Sequence, residues 1–399
     1  MIIRYDRMLE KGGEGEIILV NMGNKIRFLC SHCHREYPVE TSDFCCQCGG
    51  PFDLNWIPRP FPVSSLQGRG TSIWRYRESL PIEKDENIVS LGEGSTPLIP
   101  FLYGDFNRIF LKLDYLCPTG SYKDRGTTVL ISKLKELGVT HVVADSSGNA
   151  GSSIAAYAGR AGIQCKIYCP ADTSEGKLIQ IKAYGAKLVK VPGPRADTAA
   201  AVQEEAGKTY YASHNYNPFF LEGIKTMAFE VCEQLGWTIP DAVLCPAGYG
   251  GIYLGLYQGF KELVDRRVIF KIPKLIGIQS EVVSPIYRAF YRKAMEVEEV
   301  PARKTLAEGI ACVKPVRGDK ILKIAQETGG CFEVVSEKEI LEGWKELARQ
   351  GIYVEPTSAV VVRAVTHLLQ KGLLDSRDCV VLILTGIGLK ATETLGKYT

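Results

Sequence analysis

The chain has 399 residues, 45% of them hydrophobic and 23% charged, and a formal net charge of +3. This length is too great for one ordinary core and predicts two or three globular domains. The small net charge gives no support to binding of nucleic acid or of a membrane surface, and no apolar run is long enough for a spanning helix. The opening stretch MIIRYDRMLEKGGEGE has no apolar signal core, so we expect a cytoplasmic protein.

Two Cys-x-x-Cys pairs come first along the chain: Cys30, Cys33, Cys45 and Cys48. Four thiolates brought to one point form a closed tetrahedral zinc site, which is structural because it leaves no position open for a substrate. Cys46 competes with Cys45, but the two-residue spacing favours Cys45, and His32 or His34 are weaker substitutes. The alternative is a chance cluster of free thiols. We expect a zinc ribbon within an N-terminal segment of residues 1–55.

Three later segments each contain an apolar run followed by a glycine-rich turn: residues 140–162, 242–263 and 379–390. In the first two, a helix-like stretch follows the turn. Apolar runs without alternation are typical of parallel strands covered on both faces, and glycine-rich turns that enter helices are typical of βα units. The sequence therefore predicts an α/β fold with parallel-rich sheets, in which ligands bind at the carboxyl ends of strands.

These turns expose backbone N–H groups that suit a phosphate or carboxylate. SSGNAG (146–151) could instead be a plain helix cap, and GYGG (248–251) a tight connection. The usual glycine motifs for dinucleotides and nucleoside triphosphates are absent from the sequence. Lys123 follows another Gly-Ser turn in CPTGSYKDRG (117–126). Together these groups fit pyridoxal phosphate, which needs a Schiff-base lysine, a phosphate cup and a partner for its ring nitrogen.

The sequence resembles fold-type II pyridoxal-phosphate enzymes of the tryptophan synthase β family, and in particular their threonine synthase branch. The matching motifs are EGSTPL (93–98), PTGSYKDRG (118–126), SSGNAG (146–151), NPFFLEGIKT (217–226), PAGYGG (246–251), EPTSA (355–359) and LTGIGLK (384–390). The resemblance covers nearly the whole chain, including the cysteine ribbon that some members carry. It implies pyridoxal 5'-phosphate and structural zinc as cofactors, a small amino-acid substrate and a homodimer.

The resemblance also assigns individual roles. Lys123 is the Schiff-base lysine and proton carrier, Asn149 contacts the 3'-oxygen of the cofactor, and Thr385 contacts its ring nitrogen. The phosphate cup is Gly248, Tyr249, Gly250, Gly251 and Ile252. The substrate contacts are Ser146, Ser147 and Gly148, which receive the carboxylate, together with His214 and Asn215. Asp124 and Arg125 are expected to pair with each other or to cap the following helix.

One departure bears on the substrate. Threonine synthases commonly read Asn-Ser-x-Asn-Pro-x-Arg before LEG and hold the phosphate of O-phosphohomoserine there, whereas this chain has Phe220 at the arginine position. A phenyl ring cannot make the bidentate contact that a phosphate dianion accepts. Either Arg195 or Lys225 supplies the charge, or the leaving group is a different one. The second alternative is favoured and predicts weak threonine formation from O-phosphohomoserine.

The implied function is a lyase of amino-acid biosynthesis that eliminates or replaces a group at the β or γ carbon of an activated amino acid. Threonine synthesis, a β-replacement such as cysteate synthesis, and deamination of serine or threonine stay open. A zinc-ribbon regulatory protein on an inactive scaffold is disfavoured because Lys123 and Thr385 are both present. The expected lobes are a large one of residues 56–125 and 225–399 and a small mobile one of residues 126–224.

Overall fold

The computed structural model describes residues 26–173, 175–193 and 195–399, so residues 1–25 of the expected N-terminal segment lie outside the described residues. The strands are β1 (Arg27–Cys30), β2 (Glu36–Pro38), β3 (Phe52–Asn55), β4 (Leu98–Pro100), β5 (Ile109–Leu113), β6 (His141–Ala144), β7 (Gln164–Pro170), β8 (Lys187–Val191), β9 (Tyr210–Tyr211), β10 (Ala242–Pro246), β11 (Lys274–Ser280), β12 (Cys331–Val335) and β13 (Val380–Leu384). The helices are α1 (Lys123–Glu136), α2 (Asn149–Ala161), α3 (Glu175–Ala183), α4 (Arg195–Ala206), α5 (Pro218–Ile224), α6 (Thr226–Gln234), α7 (Gly251–Asp265), α8 (Pro285–Tyr291), α9 (Gly318–Thr328), α10 (Glu337–Arg349), α11 (Pro356–Gln370) and α12 (Thr392–Leu395).

The described strands form three sheets. The largest has the order β12-β11-β10-β13-β5-β4, and its pairs are parallel apart from β4 with β5. A second sheet, β8-β7-β6-β9, is wholly parallel. The small third sheet, β2-β1-β3, is antiparallel and carries the first cysteines. The predicted α/β fold with parallel-rich sheets is confirmed.

The centre of the large sheet explains where ligands can bind. Every residue of β10 (AVLCP) and β13 (VVLIL) is buried, as expected for apolar strands covered by helices on both faces. β13 pairs in parallel with both β10 and β5, so these three strands end at the same edge of the sheet. The loops after them are therefore neighbours, although they come from distant parts of the chain.

Helices α1 and α5 approach each other closely, and two glycines allow this contact. A Cβ added at Gly223 would lie 1.8 Å from the carbonyl oxygen of Arg125, and one added at Gly126 would lie 2.6 Å from ring carbons of Phe220. Any side chain at these two positions would separate the helices. The close packing brings Phe220 beside the start of α1, which is Lys123.

The cysteine ribbon is attached to this part of the body through aromatic and charged contacts. Phe28 of β1 stacks on Phe52 of β3 with ring centroids 5.2 Å apart and packs against Phe219 of α5 at 5.6 Å. Arg317 donates a hydrogen bond of 2.8 Å to Asp53 from the body side. In the part of the chain that the structure describes, no helix has both the length and the apolar character required to cross a membrane.

Candidate active site

The loops that follow β5, β6, β10 and β13 enclose a cavity of about 860 Å³. Every residue assigned above to the cofactor or the substrate lines this cavity: Lys123, Ser146, Ser147, Gly148, Asn149, His214, Asn215, Gly248, Tyr249, Gly250, Gly251, Ile252 and Thr385. The structure thus brings together side chains from distant parts of the sequence, at the edge where parallel sheets bind ligands.

Lys123 is the first residue of α1, and its side chain points into an aromatic environment. Its Nζ lies 4.8 Å from the ring centre of Tyr122 and 5.7 Å from that of Phe220. Burial lowers the pKa of Lys123 from 10.5 to about 7. A large fraction of the amine is therefore neutral near pH 7, which is the form that attacks a carbonyl carbon or accepts a proton.

The two residues after Lys123 do not pair with each other, so the pairing that the sequence analysis offered as one of two alternatives is wrong. Asp124 accepts hydrogen bonds of 2.6 Å from the hydroxyls of Thr119 and Ser153. Arg125 donates to Asp114 at 2.6 Å and to Glu230 at 2.9 Å, and all three side chains are buried. Adjacent helical residues point in different directions, so Asp124 and Arg125 serve different sides of α1. Both fasten the helix that begins with Lys123.

A glycine loop precedes α7 and forms a cradle at its N-terminus. Gly250 has φ +83°, and a Cβ there would lie 2.1 Å from Cδ1 of Ile321. A Cβ at Gly248 would lie 2.9 Å from Cα of Ile310. Glycine is therefore required at Gly250 for conformation and at Gly248 for space, since the atoms near Gly248 belong to the backbone. The first turn of a helix has N–H groups without intrahelical partners, and such groups suit a phosphate.

Thr385 follows β13 and is tied to α11. Its Oγ1 lies 3.0 Å from Oγ of Ser358, which also accepts a 2.9 Å hydrogen bond from the Thr385 N–H. These contacts fix the position of the hydroxyl on the cavity wall.

Asn149, the first residue of α2, is held by two residues to which the motifs assigned no role. Its Nδ2 donates to Glu355 at 2.9 Å, and its Oδ1 accepts from Nζ of Lys390 at 2.9 Å. Both partners also line the cavity. Glu355 and Lys390 belong to the motifs EPTSA and LTGIGLK, so the sequence did single out these segments. It did not reveal that both residues contact Asn149.

The two candidate cations proposed to replace the missing arginine have different positions. Lys225 is fully buried, and its Nζ lies 2.5 Å from Glu222 and 2.7 Å from Glu262, away from the cavity lining. Arg195 lines the cavity.

Burial, together with the charges of Lys123 and Arg195, holds the pKa of His214 well below its usual value, so this imidazole is neutral.

The cysteine cluster differs from the expectation in one residue. The sulfur atoms of Cys30, Cys33, Cys46 and Cys48 all lie within 4.8 Å of one another, which suits a tetrahedral metal site, whereas Cys45 is not part of the group. A turn closed by the Gly49 N–H on the carbonyl of Cys46, at 2.8 Å, sets the direction of this loop. Neighbouring side chains point apart, so including Cys46 excludes Cys45, and the preference for Cys45 was wrong.

Comparisons with known proteins identify the family of the chain. Residues 89–386 match the family model described as pyridoxal-phosphate dependent enzyme. The chain is 38% identical to the threonine synthase of Methanocaldococcus jannaschii over 90% of this chain and 92% of that protein. It is 33% identical to the threonine synthase of Methanosarcina acetivorans over 92% of each. Among solved structures, a threonine deaminase from T.th. is 28% identical with a TM-score of 0.60, covering 73% of this chain and 92% of that one.

Proposed function

Because the chain belongs to the family of pyridoxal-phosphate dependent enzymes, we propose that Lys123 carries this cofactor and that the enzyme catalyses a threonine-synthase-type reaction. The observation that carries the proposal is the position of a buried lysine, with a pKa lowered to about 7, in the same cavity as a glycine cradle. The 33–38% identity to curated threonine synthases over at least 90% of the chain supports this choice among the reactions of the family.

The residues present fit the cofactor. The cradle from Gly248 to Ile252 suits its phosphate because glycine alone fits at Gly248 and Gly250. The fixed hydroxyl of Thr385 suits its ring nitrogen, and the held amide of Asn149 suits its 3'-oxygen. When bound, the cofactor supplies an electron sink for negative charge at the α carbon of an amino acid.

The residues of the chain supply positioning and proton transfer. The Nζ of Lys123 forms the covalent bond to the cofactor and, once released, takes the proton from the α carbon of the substrate. The turn of Ser146, Ser147 and Gly148 receives the substrate carboxylate. The net reaction converts O-phosphohomoserine and water to threonine and phosphate. The Cγ–O bond breaks with its electron pair on the phosphate, Cβ loses a proton and Cγ gains one. The hydroxyl of water bonds to Cβ, and the remaining proton of water goes to the phosphate.

Deamination of threonine or serine is the second candidate, because the threonine deaminase from T.th. shares the fold at 28% identity. The two candidates require different substrates, and only the first releases phosphate. The holoenzyme should therefore be offered O-phosphohomoserine, O-phosphoserine, O-acetylhomoserine, serine and threonine, with phosphate, threonine and 2-oxoacids measured. In place of the weak threonine formation expected from Phe220, the identity to threonine synthases leads us to expect threonine and phosphate from O-phosphohomoserine. Release of a 2-oxoacid from serine or threonine as the fastest reaction would replace this proposal by deamination.

The same experiment includes the variant Lys123→Ala. It should lose the absorbance of the covalent lysine–cofactor bond near the visible edge and the modification by borohydride. A variant with the absorbance of the wild-type enzyme would refute the role of Lys123.

Three further elements belong to this proposal. The cluster of Cys30, Cys33, Cys46 and Cys48 holds a structural zinc ion, supported by the sulfur geometry. The small lobe of residues 126–224 closes over substrate against the large lobe, supported by the separate four-stranded sheet formed from residues 141–211. The enzyme is cytoplasmic, as expected from an opening stretch without an apolar signal core, and a homodimer, as the family resemblance implies. Light scattering should give twice the 44.0 kDa of one chain.

A further inference from the structure

A guanidinium group stands on the cavity wall, in a chain that lacks the expected arginine at position 220. Arg195 is the first residue of α4, and its side chain is 43% exposed. Its Nη2 donates to the carbonyl oxygen of Asp145 at 2.8 Å and lies 3.2 Å from the carboxylate of the same residue. Both contacts leave from one nitrogen, and a guanidinium has five N–H donors. Arg195 is thus oriented by Asp145 and can still bind an anion in the cavity.

The buried carboxylate of Asp145 does not cancel this function. It accepts a 2.6 Å hydrogen bond from the hydroxyl of Tyr211, so its oxygen atoms are shared between two donors. Burial raises the pKa of Asp145 in spite of the nearby guanidinium. Asp145 therefore holds Arg195 in place through one of its nitrogen atoms, on the wall of the cavity.

Two neutral donors stand beside Arg195. Tyr249 forms a hydrogen bond with Arg195, and the Tyr249 ring lies 6.3 Å from the ring of His214. His214 lines the same cavity as Lys123 and Arg195, and the charges of both act on it. A guanidinium, a phenol and an imidazole around one volume are donors that a phosphate monoester accepts.

The other cations near the site have different partners. Lys390 is bound to Asn149, Lys225 is buried with two carboxylates, and Lys123 is reserved for the cofactor. Among the described residues that line the cavity, Arg195 is the single arginine.

We propose that Arg195, with Tyr249 and His214, binds the phosphate of the substrate's leaving group, so that the enzyme selects phosphorylated amino acids over neutral esters. This proposal rests on the proposed function and names the residues that determine its specificity. The guanidinium reaches the phosphate from α4 on the small lobe, and Phe220 leaves the lysine side of the cavity apolar. Arg195 also neutralises the charge that develops on the departing phosphate when the Cγ–O bond breaks.

The test compares Arg195→Gln and Arg195→Lys with the wild-type holoenzyme on O-phosphohomoserine and on O-acetylhomoserine. Loss of charge-assisted hydrogen bonds should lower kcat/KM of Arg195→Gln for the phosphorylated substrate by about 100-fold or more. The kcat/KM of Arg195→Gln for the acetyl ester should change by less than about threefold, because this substrate carries no phosphate dianion for Arg195 to bind. Arg195→Lys keeps the charge without the planar fork and should fall between the two. Equal losses on both substrates, or no loss on either, would overturn the proposal.

Two further measurements separate this proposal from the proposed function. Arg160→Gln removes another exposed arginine of the small lobe, outside the cavity, and should behave as the wild type. Calorimetry with inorganic phosphate on the cofactor-loaded proteins should show binding that Arg195→Gln loses, and the cofactor absorbance should be unchanged. If phosphate binding depends on Arg195 but no phosphorylated amino acid reacts, the anion site stands and the proposed reaction fails. If O-phosphohomoserine reacts and Arg195→Gln binds phosphate as the wild type does, the site assignment fails.

Discussion

Phe28 of the cysteine ribbon and Phe219 of α5 pack with their ring centroids 5.6 Å apart, and the next residue, Phe220, lies beside Lys123 in the cavity wall. The ribbon is therefore one residue removed from the wall of the active site. The ribbon and Lys123 thus both contact α5, at Phe219 and Phe220 respectively.

The metal prediction compares two neighbouring cysteines. Cys46→Ser should reduce the zinc content from about one ion per chain to about zero and lower the thermal midpoint, because metal binding and folding of such a ribbon are coupled. Cys45→Ser should keep the metal, since its sulfur is not part of the cluster. Metal analysis of the two purified variants checks this. Loss of zinc in Cys45→Ser but not in Cys46→Ser would show that Cys45 is the ligand, as its spacing predicts, and would refute the cluster with Cys46.

The second prediction concerns pH and the cofactor-free protein. The folded pKa of Lys123, about 7, lies below its ordinary value of 10.5, so between these values the unfolded chain binds a proton that the folded chain has released. Stability should therefore rise with pH across this range by up to about 1.4 kcal/mol per pH unit, and the penalty is complete below about pH 7. Lys123→Met should lack this contribution. Urea unfolding of both cofactor-free proteins from about pH 6 to about pH 10 measures it; parallel curves would contradict it.

The third prediction concerns the buried charged residues that surround Arg125, close to Lys123 on α1. Glu230 accepts from Arg125 at 2.9 Å and pairs with Lys112 at 2.5 Å, and all three side chains are at most 3% exposed. Glu230→Gln should destabilise the protein by about 3–5 kcal/mol, because it leaves buried cations without full compensation. The exposed pair of Lys261 and Asp265 provides the control: Asp265→Asn should change stability by at most about 0.5 kcal/mol. Denaturant midpoints measure both, and comparable small shifts would contradict the prediction.

The fourth prediction tests the glycine cradle. Gly250→Ala should greatly weaken cofactor binding, because the new Cβ would lie 2.1 Å from Ile321 at a positive φ and the loop before α7 must move. Gly329→Ala introduces a similar left-handed strain of about 1–2 kcal/mol in open space at the end of α9. Titration of the cofactor by absorbance should show a large loss of affinity for the first variant alone. Equal cofactor affinities of the two variants would show that the loop before α7 does not bind the cofactor.

The sequence by itself determined the chemistry of the chain and the class of its fold. Apolar runs without alternation specified covered parallel strands, because periodicity is a local property. The family resemblance singled out Lys123 as the proposed Schiff-base lysine. Only the tertiary structure decided which distant side chains meet. It placed Cys46 rather than Cys45 with the other thiols, joined Arg125 to Glu230, and brought Arg195 into the cavity while burying Lys225. The physical reason is that spacing along the chain does not fix the direction of a side chain, which is set by packing between elements far apart in sequence.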